Sequence, residues 1–158
     1  MPSKISLFPF LILGALVGVS HAADPMPPEP KVLAARSLIQ TWMHQHDKEH
    51  ASVVQAYEKK DRVTLEKTAT QLLRHQGFPQ KGNVDLMLEE YSAYLSCDTA
   101  YTDLGLLASA MAKHLSNGTA GTEKIIKQEQ SDYARSSGVC KRRLAMTPAK
   151  AWADYQSE

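Results

Sequence analysis

The chain has 158 residues, of which 43% are hydrophobic, and its formal net charge is +1 at pH 7. The 18 Lys and Arg and the 17 Asp and Glu are interspersed along the chain. A balanced charge pattern of this kind argues against a nucleic acid or an anionic membrane surface as the partner.

The first 22 residues have the layout of a secretory signal peptide. Lys4 precedes an apolar run over residues 5–19, and small residues follow up to Ala22 and Ala23. The apolar run is shorter than the roughly 18 residues that a membrane span requires. We therefore predict cleavage after Ala22, export to the periplasm and no membrane span, with an uncleaved N-terminal anchor as the alternative. Cleavage leaves 136 residues (158 − 22), a size that suits one domain.

Residues 23–30 are predicted to form an extended leader. Four prolines occur in this stretch: Pro25, Pro27, Pro28 and Pro30. Proline is excluded from helix interiors and from central strands. From residue 31 to residue 158, strong helix formers are common and no sustained apolar-polar alternation occurs. We predict a single all-α domain, a small bundle of five or six helices with one disulfide.

The first predicted helix is long and ends near Lys59 or Lys60. Its apolar face consists of Leu33, Ile39, Trp42, Met43, Val53, Val54 and Tyr57. Asp61 is a suitable cap for the second helix, which should stop before Gly77 and Pro79.

The second half of the chain contains three or four further segments. One begins at Asn83 and another covers about Thr99 to Leu115, and the sequence leaves open whether they are one helix or two. Thr122 is predicted to open the next helix, which runs toward Cys140. Thr147 followed by Pro148 predicts the start of a short last helix, because proline fits the first helical position.

Cys97 and Cys140 are the two cysteines of the chain. In an exported protein, an even number of cysteines favours a disulfide. A redox C-x-x-C pair is absent from the sequence, and a nucleophilic Cys97 would need a free thiol. We predict that the two cysteines are paired.

The stretch "HQHDKEH" ends in the H-x-x-E-H pattern of inverzincin metallopeptidases. On a helix, His46 and His50 lie on one face and could share a metal, with Glu49 as a general base. A catalytic zinc also needs a third ligand and an open position. Both histidines are in phase with Ile39 and Val53 on the stripe that faces the core. We therefore predict core histidines, no cofactor and no enzymatic activity, with metal binding by His46 and His50 as the alternative.

The segment "YLSCDTAYTDLGLLASAMAKHL", residues 94–115, resembles the conserved-Cys segment of the periplasmic immunity proteins that neutralise type VI secretion amidase effectors. That segment has a Cys followed by an acidic residue, a Tyr, a small or polar residue and a Leu-rich helix with basic residues at its end. The matching residues are Cys97, Asp98, Tyr101, Thr102, Leu104, Leu107, Lys113 and His114. The match covers about 22 residues, and the family's N-terminal cysteine-containing segment has no counterpart around Trp42.

The resemblance implies a helical periplasmic protein, with a homodimer as one state, that plugs the active site of an incoming peptidoglycan amidase. Such a protein needs a rigid surface and a protruding loop with polar and aromatic anchors. Residues 74–83 and 116–121 are the candidate protrusions. The residues predicted to bind the protein partner are Phe78, Gln80, Lys81, Tyr101 and Asn117. A periplasmic chaperone or envelope assembly helper is the alternative from a different functional class.

Overall fold

The computed structural model describes residues 25–27, 29–74 and 89–157. These residues form five α-helices and one 3₁₀ helix: α1 Glu29–Glu58, α2 Arg62–Arg74, the 3₁₀ helix Glu89–Tyr94, α3 Leu95–Asn117, α4 Ala120–Ala145 and α5 Pro148–Gln156. No strand occurs in the described ranges. The predictions of an all-α fold and of a disulfide between Cys97 and Cys140 are both confirmed. The predicted signal peptide lies outside the described residues.

Helix α1 begins at Glu29, two residues before the predicted start of the helical domain at Lys31. Pro30 therefore lies in the first turn, where its missing amide hydrogen costs no helical hydrogen bond. Residues 25–27 have no regular secondary structure, and Met26 packs against the core. The extended segment is thus shorter than the sequence indicated.

The turn between α1 and α2 is set by backbone hydrogen bonds and by one carboxylate. Lys60 adopts a positive φ of 57°, and its amide donates to the Tyr57 carbonyl at 3.0 Å, while the Asp61 amide donates to the Ala56 carbonyl at 2.8 Å. This pair of bonds ends a helix in the Schellman manner. Asp61 Oδ1 then accepts from the Thr64 amide at 3.0 Å. The predicted helix end and the predicted cap are confirmed.

Helices α3 and α4 form an antiparallel hairpin that is fastened at both ends. The Cys97–Cys140 disulfide joins the start of α3 to the end of α4. At the other end, the Thr122 amide donates to Thr119 Oγ1 at 3.2 Å, and the Thr119 amide donates to Thr122 Oγ1 at 2.9 Å. Thr119, and not the predicted Thr122, is therefore the N-cap of α4, because Thr122 is its partner in a capping box. The 3₁₀ helix leads directly into α3, which begins at Leu95, before the predicted Thr99.

Helix α2 packs antiparallel to α3 with a close approach at Gly105. A Cβ atom at this position would lie 2.9 Å from Leu73 Cγ and 3.1 Å from Leu72 Cβ. At the other end of α2, Arg62 donates to Ser116 Oγ at 3.3 Å. The absence of a side chain at Gly105 thus lets the two helix axes come together.

Two glycine substitutions test this close approach. Gly105 and Gly138 both lie inside α-helices, but a Cβ at Gly138 would meet nothing within 4 Å. We expect Gly138→Ala to raise the free energy of unfolding by about 0.5–1 kcal/mol through helix propensity. Gly105→Ala should instead lower the free energy of unfolding by about 1 kcal/mol, because the cost of overpacking against Leu72 and Leu73 exceeds the gain in helix propensity. Urea denaturation of the two variants measures the difference, and equal gains would contradict the close approach.

The core consists of two adjoining clusters. The first lies between α1, α2, α3 and α4 and includes Leu65, Leu72, Leu104, Leu107 and Tyr133. The second lies between α1, the 3₁₀ helix, α5 and the disulfide-linked ends of α3 and α4, and it includes Val32, Ile39, Tyr94, Leu144 and Trp152. Trp42 packs against both clusters, so α1 carries one continuous apolar stripe along the bundle.

The buried guanidinium of Arg143 joins the 3₁₀ helix, α4 and α5 at the C-terminal end of the domain. Arg143 is only 2% exposed, and its Nε donates to Asp154 Oδ2 at 3.0 Å. A second nitrogen donates to the Ala93 carbonyl at 3.4 Å, and the guanidinium lies 5.8 Å from the Tyr155 ring centroid. Arg143 therefore holds the 3₁₀ helix and α5 against α4.

Removal of this guanidinium should be costly. We expect Arg143→Ala to lower the free energy of unfolding by about 2–3 kcal/mol, because the buried side chain loses its packing and its hydrogen bonds to Ala93 and Asp154. Arg142 is a matched control, because it binds the same Asp154 oxygen at 3.1 Å from a half-exposed position. We expect Arg142→Ala to change stability by less than about 0.5 kcal/mol. Urea denaturation gives both values, and a similar loss in the two variants would contradict the role of burial.

Candidate functional site

Five rings from three helices form a layer between α1 and the α3–α4 hairpin. We call this set, Trp42, His46, His50, Tyr101 and Tyr133, the aromatic layer. Trp42 stacks on Tyr101 with centroids 4.6 Å apart, and His50 stacks on Tyr133 at 4.6 Å. His46 lies between the two tyrosines, 5.5 Å from Tyr101 and 5.6 Å from Tyr133. The layer thus centres on His46.

His46 is fully buried, and only one of its ring nitrogens has a hydrogen bond. Its Nε2 lies 3.3 Å from the Ala100 carbonyl oxygen. A carbonyl oxygen can only accept, so Nε2 carries the proton, and in the neutral ring Nδ1 carries none. Nδ1 has no hydrogen-bond partner among the described residues. The neutral imidazole therefore suits this position, and an imidazolium would not.

Burial is the main cause of the pKa shifts of the titratable rings in the aromatic layer. Burial lowers the pKa of His46 from 6.5 to about 4, although the hydrogen bond to Ala100 and the nearby Asp47 oppose this shift. The pKa of His50 is also lowered, first by burial, and burial raises the pKa of Tyr101 and of Tyr133. The layer is therefore uncharged near neutral pH.

The prediction that the histidines lie on the core-facing stripe is confirmed for His46 and for His50, which is partly buried. Both rings pack against Tyr133, and Nε2 of His46 is hydrogen-bonded to the Ala100 carbonyl. In the described part of the chain, no group of three or more His, Cys, Asp or Glu side chains is placed to hold a metal ion. The geometry therefore gives these histidines a packing role.

Two of the residues predicted to bind a partner, Tyr101 and Asn117, belong to the part of the chain that the structure describes. Tyr101 is only 9% exposed and stacks on Trp42, so it lies in the core and not on the surface. The physical reason is its spacing of four residues from the buried Cys97, which places both side chains on the inward face of α3. Asn117 is exposed at the end of α3. Phe78, Gln80 and Lys81 lie outside the described residues.

Two surface grooves flank α3. The α2–α3 groove has a volume of about 400 Å³ and is lined by Glu66, Ala69, Thr70, Leu73, Ser109, Ala112, Lys113, Ser116 and Asn117. The α3–α4 groove has a volume of about 450 Å³ and is lined by Ser96, Thr99, Asp103, Leu106, Glu129, Asp132, Arg135, Ser136 and Val139. Of the two predicted partner-binding residues that the structure describes, Asn117 lines the α2–α3 groove and Tyr101 lines neither groove.

The α3–α4 groove carries three carboxylates and one guanidinium. The Ser136 hydroxyl donates to Asp103 Oδ2 at 2.6 Å, and Arg135 pairs with Asp132. The pKa of Glu129 is raised, first by burial and then by the negative charges of Asp132 and Asp103. These residues were not predicted from the sequence, although the three- and four-residue spacing of Glu129, Asp132 and Ser136 indicates one face of α4.

Comparison of the chain with protein-family models, with curated proteins and with solved structures finds no match. Within the described ranges, none of the helices is both long enough and apolar enough to cross a membrane.

Proposed function

We propose that this chain is an exported protein-binding protein of the immunity or inhibitor type, which neutralises a toxic effector that attacks the cell wall by plugging its active site. The observation that carries the proposal is the position of α3, which is held rigidly between two surface grooves. A protein of this kind performs no chemistry of its own. It needs a preformed surface whose shape and polarity complement one partner.

The first support is rigidity. The disulfide and the capping box fasten α3 to α4 at both ends, and Gly105 allows close packing of α3 against α2. A surface that is already ordered loses less conformational entropy on binding. The α3 surface is therefore suited to tight binding by preorganisation.

The second support is the composition of the groove surfaces. Leu106 in the α3–α4 groove is 41% exposed, and Leu73 in the α2–α3 groove is 40% exposed. Polar and charged side chains surround each leucine in its groove. An apolar centre with a polar rim is the usual anatomy of a protein interface. Either groove thus offers an anchor point for a partner's side chain.

The third support is the location of the resemblance. Residues 94–115, which resemble the immunity proteins of amidase effectors, coincide with Tyr94 and most of α3, the helix that both grooves share. A disulfide is compatible with the oxidising periplasm. Together these features favour a secreted amidase-type effector as the partner, with a second copy of the chain as the alternative occupant.

The test is a pull-down from the native cell envelope with the mature, oxidised protein as bait, a high-salt wash and mass spectrometry. We expect one stoichiometric partner with the active site of a hydrolase. Leu106→Lys and Ser109→Arg each change one groove, and at least one of them should abolish the capture. Leu33→Lys is the matched control, because Leu33 is exposed to a similar extent (44%) on α1, outside both grooves.

The other outcomes of the pull-down point elsewhere. Many weakly bound clients would favour an envelope chaperone or assembly helper over an immunity protein. Capture of the chain by itself would identify a homodimer. Loss of the partner in Leu33→Lys, with retention in both groove variants, would show that a different surface binds.

A further inference from the structure

We infer that His46 is an acid-sensitive latch between α1 and the disulfide-linked α3–α4 hairpin: protonation at Nδ1 releases α1 while the hairpin stays closed. The inference stands apart from the proposed function, because it concerns the aromatic layer and not the grooves.

The latch rests on the surroundings of one nitrogen. His46 is 0% exposed, and its Nε2 already donates to the Ala100 carbonyl. A proton on Nδ1 creates a second donor where the described residues offer no acceptor, in a space bounded by the rings of Tyr101 and Tyr133. A buried cation without a partner is strongly unfavourable. Movement of α1 into water relieves this cost.

The charged and titratable groups near His46 come from three helices. On α1, the Asp47 carboxylate favours the imidazolium and His50 disfavours it, while Glu49 acts on Tyr101. Asp47 is about half exposed and pairs with Lys141 at 2.9 Å, so its effect is screened.

On α3 and α4 the Ala100 carbonyl favours protonation of His46, whereas the charged and titratable side chains that face it do not. Lys141 of α4 disfavours the imidazolium, and burial holds the pKa of Tyr101 and Tyr133 above its ordinary value, so both phenols are neutral in acid. The negative charge that favours the imidazolium is thus that of Asp47, which is half exposed and already paired with Lys141.

The attachments of the helices differ in strength. Helix α4 is bound to α3 covalently at Cys140, by the Ser136–Asp103 hydrogen bond and by the capping box. The polar contacts of α1 with the hairpin include the His46–Ala100 hydrogen bond, the exposed Asp47–Lys141 pair and two hydrogen bonds from Arg36 to the Leu144 carbonyl, and none of these is a covalent bond. Protonation of His46 therefore acts on α1, which is attached to the hairpin more weakly than α4 is attached to α3.

Hydrogen exchange of the mature, oxidised protein between pH 7.5 and pH 4 tests the latch, after correction for intrinsic exchange rates. We expect the opening equilibrium of the α1 amides around His46 to increase by up to about 150-fold over this range, which follows from a pKa of 6.5 in the open state and about 4 in the closed state. The α4 amides beside Cys140 should change by only a few-fold.

Two variants separate the latch from general acid sensitivity. Glutamine is neutral at every pH and its side-chain amide can still donate to Ala100, so His46→Gln should remove the acid response of α1. His50→Gln, a change of the neighbouring ring on Tyr133, should retain it. An equal acid response in α1 and α4, or an unchanged response in His46→Gln, overturns the inference.

A measurement on the unmodified protein covers the case in which His46→Gln does not fold. The NMR titration of the His46 ring should show no protonation above pH 5 while α1 remains protected. Titration near pH 6.5 in the intact fold would overturn the inference, because the closed state would then accept the proton freely.

Discussion

Replacement of both Cys97 and Cys140 by Ala is expected to lower the free energy of unfolding by about 4 kcal/mol. The disulfide closes a loop with a sequence separation of 43, and the loss of loop-closure entropy in the unfolded chain gives this magnitude. The effect is large, since typical domains have a total stability of about 5–15 kcal/mol. The disulfide thus determines how large a fraction of the molecules has the folded hairpin, and with it the α3 surface.

Urea denaturation of the oxidised protein, the reduced protein and the double-alanine variant measures this loss. Both sulfur atoms belong to fully buried residues, so the two destabilised forms also differ in packing and need not agree closely. The double-alanine variant should be insensitive to reductant, which is the control. A loss below about 1 kcal/mol would mean that the unfolded state is already compact enough to cancel the entropic gain.

The features that the sequence predicted well are those in which neighbouring residues decide the outcome. Asp61 caps α2 through an amide three residues away, and Thr147 caps α5 in the same manner with Pro148 at the first position. The core-facing stripe of α1, including His46, follows from helical periodicity alone, although Leu33, which was assigned to it, is 44% exposed. These predictions needed no knowledge of how the helices pack.

The start of α4 shows where local rules become ambiguous. Thr119 and Thr122 are both good cap residues, and the sequence analysis assigned the cap to Thr122. The structure uses both side chains in one capping box, so the helix begins earlier. A T-x-x-T spacing resembles the usual capping-box pattern with a hydroxyl in place of Glu or Gln. This pattern could have identified Thr119 as the cap from the sequence.

The grooves and the burial of Tyr101 depend on contacts between distant parts of the chain. Asp103 and Ser136 form the α3–α4 groove from positions 33 residues apart, and Tyr101 is covered by Trp42 from α1. Periodicity shows that Tyr101 shares a face with Cys97, but only the packing of three helices shows that this face is covered. Tyr101 is therefore a core residue in this structure, a position that the sequence prediction of a surface role did not anticipate.

Stability is expected to fall by about 3 kcal/mol between pH 6.5 and pH 4 because of His46 alone. Burial lowers its pKa from 6.5 to about 4 in the folded state, so in this interval the unfolded chain binds a proton that the folded chain does not. Its contribution is therefore fully present above pH 6.5 and is lost as the pH falls toward 4. Urea denaturation across this range measures the slope, and His46→Gln should reduce it more than His50→Gln.

The same experiment on the double-alanine variant shows whether acid and the disulfide act on separate elements. The disulfide lies within the α3–α4 hairpin, whereas the proton acts at the contact between α1 and that hairpin. If the two contributions are independent, the double-alanine variant keeps the full pH slope at a lower overall stability. A weaker slope would mean that the hairpin needs its disulfide to keep His46 buried, because a loosened α3–α4 pair would admit water to Nδ1 at every pH.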